Sequence, residues 1–431
     1  MGSDDWRVLT LRDAGVELLD CVHRTPPSEQ NGYPYIAIPQ LKDGHLALDN
    51  ARRISHENLI EWTLKAKPQE GDVVLSRRCN PGETAVVPAG VQCALGQNLV
   101  LLRTDGSRVC PAFLRWLVRS PGWWEQVARY INVGAVFDSL KCADIPEFRL
   151  PIPPLAEQHK IASVLGALDD KIELNRRMNL TLQSIARAIF RSWFVDFDPV
   201  RRKMEGGEVG LPPDLAALFP DAVSDSALGE LPSGWTVGCL SDVAMQVRDS
   251  VRPGDILAGT AYFGLEHLPK RSIALGDWTT ADGVASGKSR FAVGDILFGK
   301  LRPYFHKVGP PPVAGVCSTD IVVVRPLASE FFALVLGYLS SDEFVDYTSA
   351  ASSGTRMPRT SWRDMAAYPV AVPPRAVCSA FEAMAGPLVD LIQGNITQSR
   401  TLSDLRDTAL PVLLAGELAL STPEGGDAHG R

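Results

Sequence analysis

Two stretches of the chain place residues of one kind at alternating steps of four and three, the spacing that lines one face of a helix. The first stripe runs Ile161, Leu165, Leu168, Ile172, Asn175, Asn179, Leu182, Ala186, Ile189, Trp193. The second runs Phe381, Ala385, Leu388, Ile392, Asn395, Ser399, Leu402, Arg406, Ala409, Leu413. Both are heptad seams interrupted by asparagine, and such a seam calls for a partner helix. The second is weaker, and Leu405 is expected to stand in for Arg406 on its apolar face. The simplest partner for either helix is the other, with Asn175 opposed to Asn395 to fix register at some cost in stability. Packing of each helix on its own neighbouring domain is the alternative, but about 39 residues is more than one small domain covers. A rod of that length spans ~58 Å; a ruler of that size suits two protein partners as well as two stretches of duplex up to ~17 base pairs apart, so geometry alone names no ligand.

Each rod begins at the same kind of junction. Pro153-Pro154 and Pro373-Pro374 separate an extended apolar run from the helical pattern. Proline disfavours helix in the residue before it and is tolerated in the first turn, so Pro-Pro sets where extended chain stops. Glu157 in the first turn suits the positive end of the helix dipole.

The duplication extends beyond the junction. "GDVVLSRR" from Gly71 is echoed by "GDILFGKLR" from Gly294, and "NLVLLR" from Asn98 by "DIVVVR" from Asp320. Asp144 and Asp364, Asp170 and Asp390, Ile172 and Ile392, and Trp6 and Trp235 continue the series in order. An ordered series of this kind marks two copies of one unit. Within each copy, short β-branched runs separated by Gly, Pro and Asn predict strands. "PAFLRWLVRSPGWWEQVARYI" and "SEFFALVLGYLSSDEFVDYTS" predict helices, with Trp116, Trp123 and Trp124 read as core. The expected fold class is α+β: two pseudo-repeated globular mixed α/β domains separated by two long antiparallel helices in a coiled coil. The expected segments are a first domain over 1–154, a helix over 155–200, an acidic Gly/Pro-containing linker over 201–234, a second domain over 235–374, a helix over 375–420 and a flexible tail over 421–431.

Charge alters this picture only in its distribution. The net charge of −7 lies in segment 206–235 and in the tail, so the two large blocks are balanced and either can carry a basic face. No uninterrupted apolar run approaches membrane-spanning length and no leader-like pattern opens the chain, which predicts a cytoplasmic protein with no membrane partner. The eight cysteines form no C-x-x-C pair, so reduced thiols and no metal site are expected. Neither a methyltransferase Asn/Asp-Pro-Pro-Tyr motif nor G-x-x-x-x-G-K-[ST] nor H-E-x-x-H is present, and no catalytic residue is assigned. Asp196 and Asp198 of "VDFDPV" lie beside Arg201, Arg202 and Lys203 and are read as structural.

"FRLPIPPLAEQHKIASVLGALDDKIELN", "IARAIFRSWFVDFDPV" and "LGELPSGW", set in a chain of two repeats, resemble the specificity subunits of type I restriction-modification systems. The second copy departs from that pattern, with "PPRAVCSAF" in place of "PPLAEQHKI". The resemblance implies two target recognition domains, each reading half of a split, asymmetric site in double-stranded DNA, with the helices setting the spacing. It also implies docking of modification subunits, two in number, and of restriction subunits. S-adenosylmethionine, ATP and magnesium would then belong to those partners, and the chain itself would carry no cofactor. Candidate DNA contacts are Arg77, Arg78 and Asn80 at one turn, Lys300, Arg302 and Tyr304 at its repeat, and Arg356 and Arg359 in a later loop with no acidic residue before Asp364. Arginine pairs with guanine edges and asparagine with adenine, while lysine mainly holds phosphate. Two competing readings are a self-contained restriction or modification enzyme and a coiled-coil protein scaffold.

Overall fold

The computed structural model describes residues 6–48, 51–134, 136–352, 354 and 357–417. It divides into two units, one built from residues up to Asp170 and from Ser403 onward, the other from Lys171–Leu402.

In the first unit a six-stranded sheet runs in the order Val16–Asp20, Leu99–Thr104, Val73–Ser76, Thr84–Val86, Gly44–Leu46, Leu41–Lys42. Every residue of Val73–Ser76 is buried, as in a strand covered on both faces. The second unit repeats the centre of this sheet as Ala244–Gln246, Ile321–Pro326, Ile296–Gly299, Val308–Gly309. The echoed Gly-Asp and the arginine closing each echo meet here. Arg103 grips Asp72 through two hydrogen bonds of 2.8 and 2.6 Å, and Arg325 grips Asp295 at 2.6 and 2.9 Å. Both carboxylates are buried and also accept from a backbone N–H, of Gln69 or of Ala292. Such charge-assisted, two-pronged bonds are strong and directional, so each pair ties the start of one central strand to the end of its neighbour.

Two helices follow the sheet in each unit, Pro111–Leu117 and Pro121–Tyr130 in the first, Phe332–Leu339 and Asp342–Ala350 in the second. Ser120 and Ser341 cap the later helix of each pair by accepting from the N–H of Trp123 and Phe344. Trp116 and Trp123 are core as expected; Trp124 is not, and is 41% exposed. The strands Arg7–Thr10 and Thr236–Cys239 pair antiparallel with Arg149–Ile152 and Pro369–Val372, which lead through Pro-Pro into the long helices. In the first unit Trp6 Nε1 donates to Glu157 at 3.1 Å. Buried Gln158 accepts from the Cys110 N–H and donates to the carbonyls of Arg108 and Pro153. The repeat has Cys378 in place of Gln158, and its thiol only approaches the Pro373 carbonyl at 3.9 Å.

The long helices are Leu155–Phe194 and Arg375–Leu414, of 40 residues each. The first ends short of residue 200. Phe197 adopts a left-handed backbone (φ 56°), and a separate helix, Asp198–Met204, starts with Pro199 in its first turn. Asp196 pairs with Arg191 at 3.0 Å and its carbonyl accepts from Arg201, which makes it a brace for this break. The expected tail, 421–431, lies outside the described residues. Segment 201–234 is more than a linker: it folds a hairpin, Val223–Ser226 with Gly229–Pro232, and buries Phe219 and Leu231. Phe219 meets Trp193 edge-on at 4.9 Å.

Within each unit the helix segments pair antiparallel. In the second unit, Asn175 Nδ2 donates to Gln398 Oε1 at 2.9 Å and to Ser399 Oγ at 3.1 Å, while Asn395 Nδ2 donates to Asn179 Oδ1 at 2.9 Å. Shifting by the 220-residue repeat turns the Asn175–Ser399 contact into the Asn395–Asn179 contact, so the pairing is internally symmetric there. Further along, Phe381 packs on Phe190, Trp193 and Phe194. In the first unit Ile161 and Leu165 share a buried cluster with Leu410 and Leu413. Ile161, Leu165, Asn175, Leu182, Ile392 and Asn395 are buried, and Leu168, Ile172, Ile189, Leu388 and Leu402 are half-buried.

One expectation about the seam fails. Leu405 is 54% exposed, and Arg406 is the buried residue. Its Nη1 donates to Asp169 Oδ1 at 2.6 Å, and Asp169 is held also by Arg115 and, at 2.9 Å, by His45 Nε2. Burial alone would raise the Asp169 pKa, but hydrogen bonds from His45 and Arg406 and the charges of Arg115 and His45 outweigh it and hold the carboxyl well below the usual range. A second expectation needs amending: Arg375–Leu414 is long and apolar enough by composition to cross a membrane. Its apolar positions are instead spent on this packing, beside the buried Asn395 and Arg406.

Candidate nucleic-acid interface

Each unit builds the same two-part construction from a cation-bearing turn and a later loop. In the first unit the turn follows Val73–Ser76. The Arg77 N–H donates to the Asn98 carbonyl at 3.0 Å, the Leu140 N–H to the Arg77 carbonyl at 2.8 Å, and the Cys79 N–H to the Asp138 carbonyl at 3.2 Å. In the second unit the turn follows Ile296–Gly299. Lys300 N–H donates to the Asp320 carbonyl at 3.0 Å, Thr360 N–H to the Lys300 carbonyl at 3.1 Å, and Arg302 N–H to the Pro358 carbonyl at 2.7 Å. These are the same three bonds, displaced by the repeat. The bridge between Arg78 and Ser139 recurs as that between Leu301 and Arg359. Cys79 and Arg302, equivalent positions, both take positive φ (65° and 51°), which bends each strand end into its turn.

Sequence-assigned side chains therefore gather in two places. Arg77 and Arg78 are half-buried and Asn80 is exposed on the first turn, and the Arg78 guanidinium sits 5.5 Å from the centre of the Phe137 ring. Gly82 closes the turn with φ 99°; a side chain there would strike Trp124 and Val127 within 3 Å, so the tightness of the turn depends on glycine. On the second turn Lys300 and Arg302 are half-buried and Tyr304 is 50% exposed. Around it sit two features not anticipated from sequence. Lys270 Nζ lies 4.3 Å from the Phe305 ring centre, and Lys307 stands near Lys270, with burial and then that charge depressing its pKa. Lys270 and Lys307 are far from the turn motif in the chain or masked by its apolar run, and only their cationic character could have drawn attention to them.

Arg359 does have an acidic neighbour. Its Nε pairs with Asp320 Oδ1 at 3.2 Å, a contact across 39 residues of chain that local sequence does not show. Arg356 lies outside the described residues.

Among the described residues, one group brings metal-ligating residue types together, Asp20, Cys21 and His23. Burial, then the charge of Asp20, pushes the Cys21 thiol up to about 11, and it donates to the Gly96 carbonyl. His23 spans Asp20 Oδ2 at 2.9 Å and the Gln97 carbonyl at 3.0 Å. These groups satisfy one another and brace a strand end. What the two turns offer chemically is different: planar guanidiniums, an amide and aromatic faces, on rigid backbone and half open to solvent, a set that binds phosphates and base edges.

Residues 5–184 match the family described as type I restriction modification DNA specificity domain. Over 404 residues, 91% of this chain and 85% of the relative, the sequence is 25% identical to the type I restriction enzyme MjaIX specificity subunit of Methanocaldococcus jannaschii. It is 29% identical over 216 residues, 48% of this chain and 45% of the relative, to the type I restriction enzyme HindI specificity subunit of Haemophilus influenzae. Among solved structures, the S subunit of a type I restriction-modification system from M. genitalium aligns over 97% of both chains with a TM-score of 0.58 and 13% sequence identity, a likeness of fold.

Proposed function

We propose that this chain belongs with the type I restriction-modification specificity subunits it resembles and reads duplex DNA through its two turn-and-loop constructions, one for each half of a split site. Arg77, Arg78 and Asn80 serve one half, and Lys300, Arg302, Tyr304 and Arg359 the other. Modification and restriction subunits dock on the chain and supply methyl transfer and cleavage, with S-adenosylmethionine, ATP and magnesium on those partners. The observation that carries this reading is the recurrence of the same three backbone hydrogen bonds beneath two differently decorated turns. One scaffold holding two sets of side chains suits two different half-sequences. Base readout by such side chains contributes about 1–3 kcal/mol for each well-made pair.

The test uses the assembled methyltransferase on genomic DNA, with methylated positions mapped. Arg77→Ala with Arg78→Ala is expected to relax or abolish one half of the recognised sequence and leave the other intact. Exchanging residues 235–374 with those of another family member should replace the other half only. Changes in both halves from either alteration would falsify the assignment. The self-contained enzyme reading is separated by incubating the purified chain alone with DNA, magnesium and S-adenosylmethionine, where neither methylation nor cutting is expected.

A further inference from the structure

The loop that completes the first construction has an apolar tip. Asn132 and Ser139 close it by exchanging two backbone hydrogen bonds, at 2.8 and 3.0 Å. Beyond that closure Val133 is 85% exposed, Val136 88% and Phe137 42%. These are large apolar groups standing in water, covered by no packing among the described residues of the unit. Phe137 is also held beside the candidate DNA contacts, because the Cys79 N–H bonds the carbonyl of the adjacent Asp138 and Arg78 lies over the Phe137 ring. In the repeat the position equivalent to Phe137 is Met357, again apolar and 47% exposed.

We infer that Val136 and Phe137 form an apolar probe that enters a groove beside Arg78 and contacts bases, thymine methyl groups and exposed base faces, rather than phosphates. This rests on the proposed DNA-reading role of the same construction and adds the chemistry of a second kind of contact. A phosphate-rich surface would repel nothing from valine but would gain nothing either; only base edges, base faces and methyl groups offer apolar area to bury. The neighbouring guanidiniums of the reading turn hold the construction on the duplex, and the apolar end of the tip faces the bases beside them. The aromatic ring under Arg78 also holds that guanidinium in place, so the tip and the turn act as one reader.

The experiment compares wild type with Val136→Ser, Phe137→Ser and the double variant, each assembled with its modification subunits. Binding is measured across a salt series to a duplex carrying the mapped methylation site and to a scrambled duplex of equal length. Burying one or two such side chains predicts a loss of about tenfold in affinity for the specific duplex. Scrambled-duplex affinity and the salt slope should stay unchanged, since no phosphate contact is removed. Unchanged specific affinity would overturn the inference, as would an equal loss on both duplexes with a shallower slope. Failure of the double variant to assemble with modification subunits, while thermal unfolding of the chain is unaltered, would also overturn it, because the tip would then be a protein-docking element. Arg77→Ala with Arg78→Ala is the control: if it too leaves specific affinity unchanged, the proposed reading site itself fails, whereas an effect there alone removes only the apolar probe.

Discussion

The helix seams of the two units solve one packing problem with opposite chemistry. In the first unit Asp169 sits against Arg406 and Arg115, all shielded from solvent to a large degree. Shifted by the repeat, with the Ser120 and Ser341 caps as the local anchor, these positions become Val389, Ala186 and Leu336 in the second unit. The charged side chains that fill the first place are replaced by shorter ones, and a cavity of about 100 Å³ opens there, lined by Ala186, Phe190, Leu336, Ser340 and Val389 among others. The difference teaches that neither solution is required by the fold. A buried ion pair is weak evidence for stability, because desolvation consumes most of its attraction; its worth lies in the penalty for wrong partners.

The largest effect expected from that comparison is on breaking the pair. Asp169→Val alone leaves Arg406 and Arg115 without their carboxylate and is expected to lower unfolding stability by about 3–5 kcal/mol. Asp169→Val combined with Arg115→Leu and Arg406→Ala transplants the second unit's residues, and should recover most of that loss in urea or thermal unfolding. If the triple variant is as unstable as the single one, the equivalence of the two seams is wrong.

A comparable swap of volumes lies one position further along. Trp116 in the first unit corresponds to Gly337, and Leu410 to Phe190. A Cβ on Gly337 would come within 2.2 Å of the Phe190 ring, so the large residue has moved from one helix to the other. Gly337→Ala should cost about 1–3 kcal/mol through overpacking. Adding Phe190→Leu makes room and should return part of it, as measured by the change in urea midpoint.

Acid sharpens the same contrast. Asp169 has a folded pKa held below its unfolded value, so its stabilisation is complete above the ordinary carboxylate pKa of ~4 and drains away as pH falls below it. Val389 in the other unit has no such dependence. Wild type should therefore lose ground to the triple variant as pH is lowered; His45, Arg115 and Arg406 pair with the carboxyl and Arg119 lies close enough to feel its charge. A stability difference that stays constant down to pH ~2 would contradict this.

The duplication, the two long helices and their antiparallel partnership were legible in the sequence, because each depends on residues a few positions apart or on a repeat with constant offset; the asparagines do sit in the seam, but Asn175 pairs with Gln398 and Ser399 and Asn395 with Asn179, rather than side chain to side chain with each other. The seam's arginine was not, since Asp169 is 237 residues from Arg406 and periodicity alone marks a charge on an apolar stripe as a defect. The end of the first helix was missed for a nearer reason: the left-handed Phe197 gives no compositional signal, although Pro199 after it could have served as one. At the candidate interface the cationic turns were found from their echoed motifs. The later loop with Arg359 was singled out but the first unit's loop around Asp138 was not, and neither attachment was visible, because Cys79 with Asp138 and Arg302 with Pro358 are joined by backbone bonds, which any sequence can make.

The smallest expected effect comes from the interface, where the two units reverse roles. There the second unit holds the ion pair, Arg359 with Asp320, and the first has Ser139 and Asn98 at the equivalent positions. Both charged side chains are partly open to water, so the pair contributes ~0–1 kcal/mol to stability. Arg359→Ser with Asp320→Asn, which copies the first unit, should leave the unfolding midpoint nearly unchanged while weakening DNA binding by the assembled complex. Asp320→Asn alone releases Arg359 from its carboxylate and removes a negative charge beside the turn. It should therefore strengthen binding to all duplexes and steepen the salt dependence, because a freed guanidinium adds a phosphate contact. A fall in affinity instead would mean that Asp320 positions Arg359 for its contact, and that the ion pair belongs to the reading surface in its paired form.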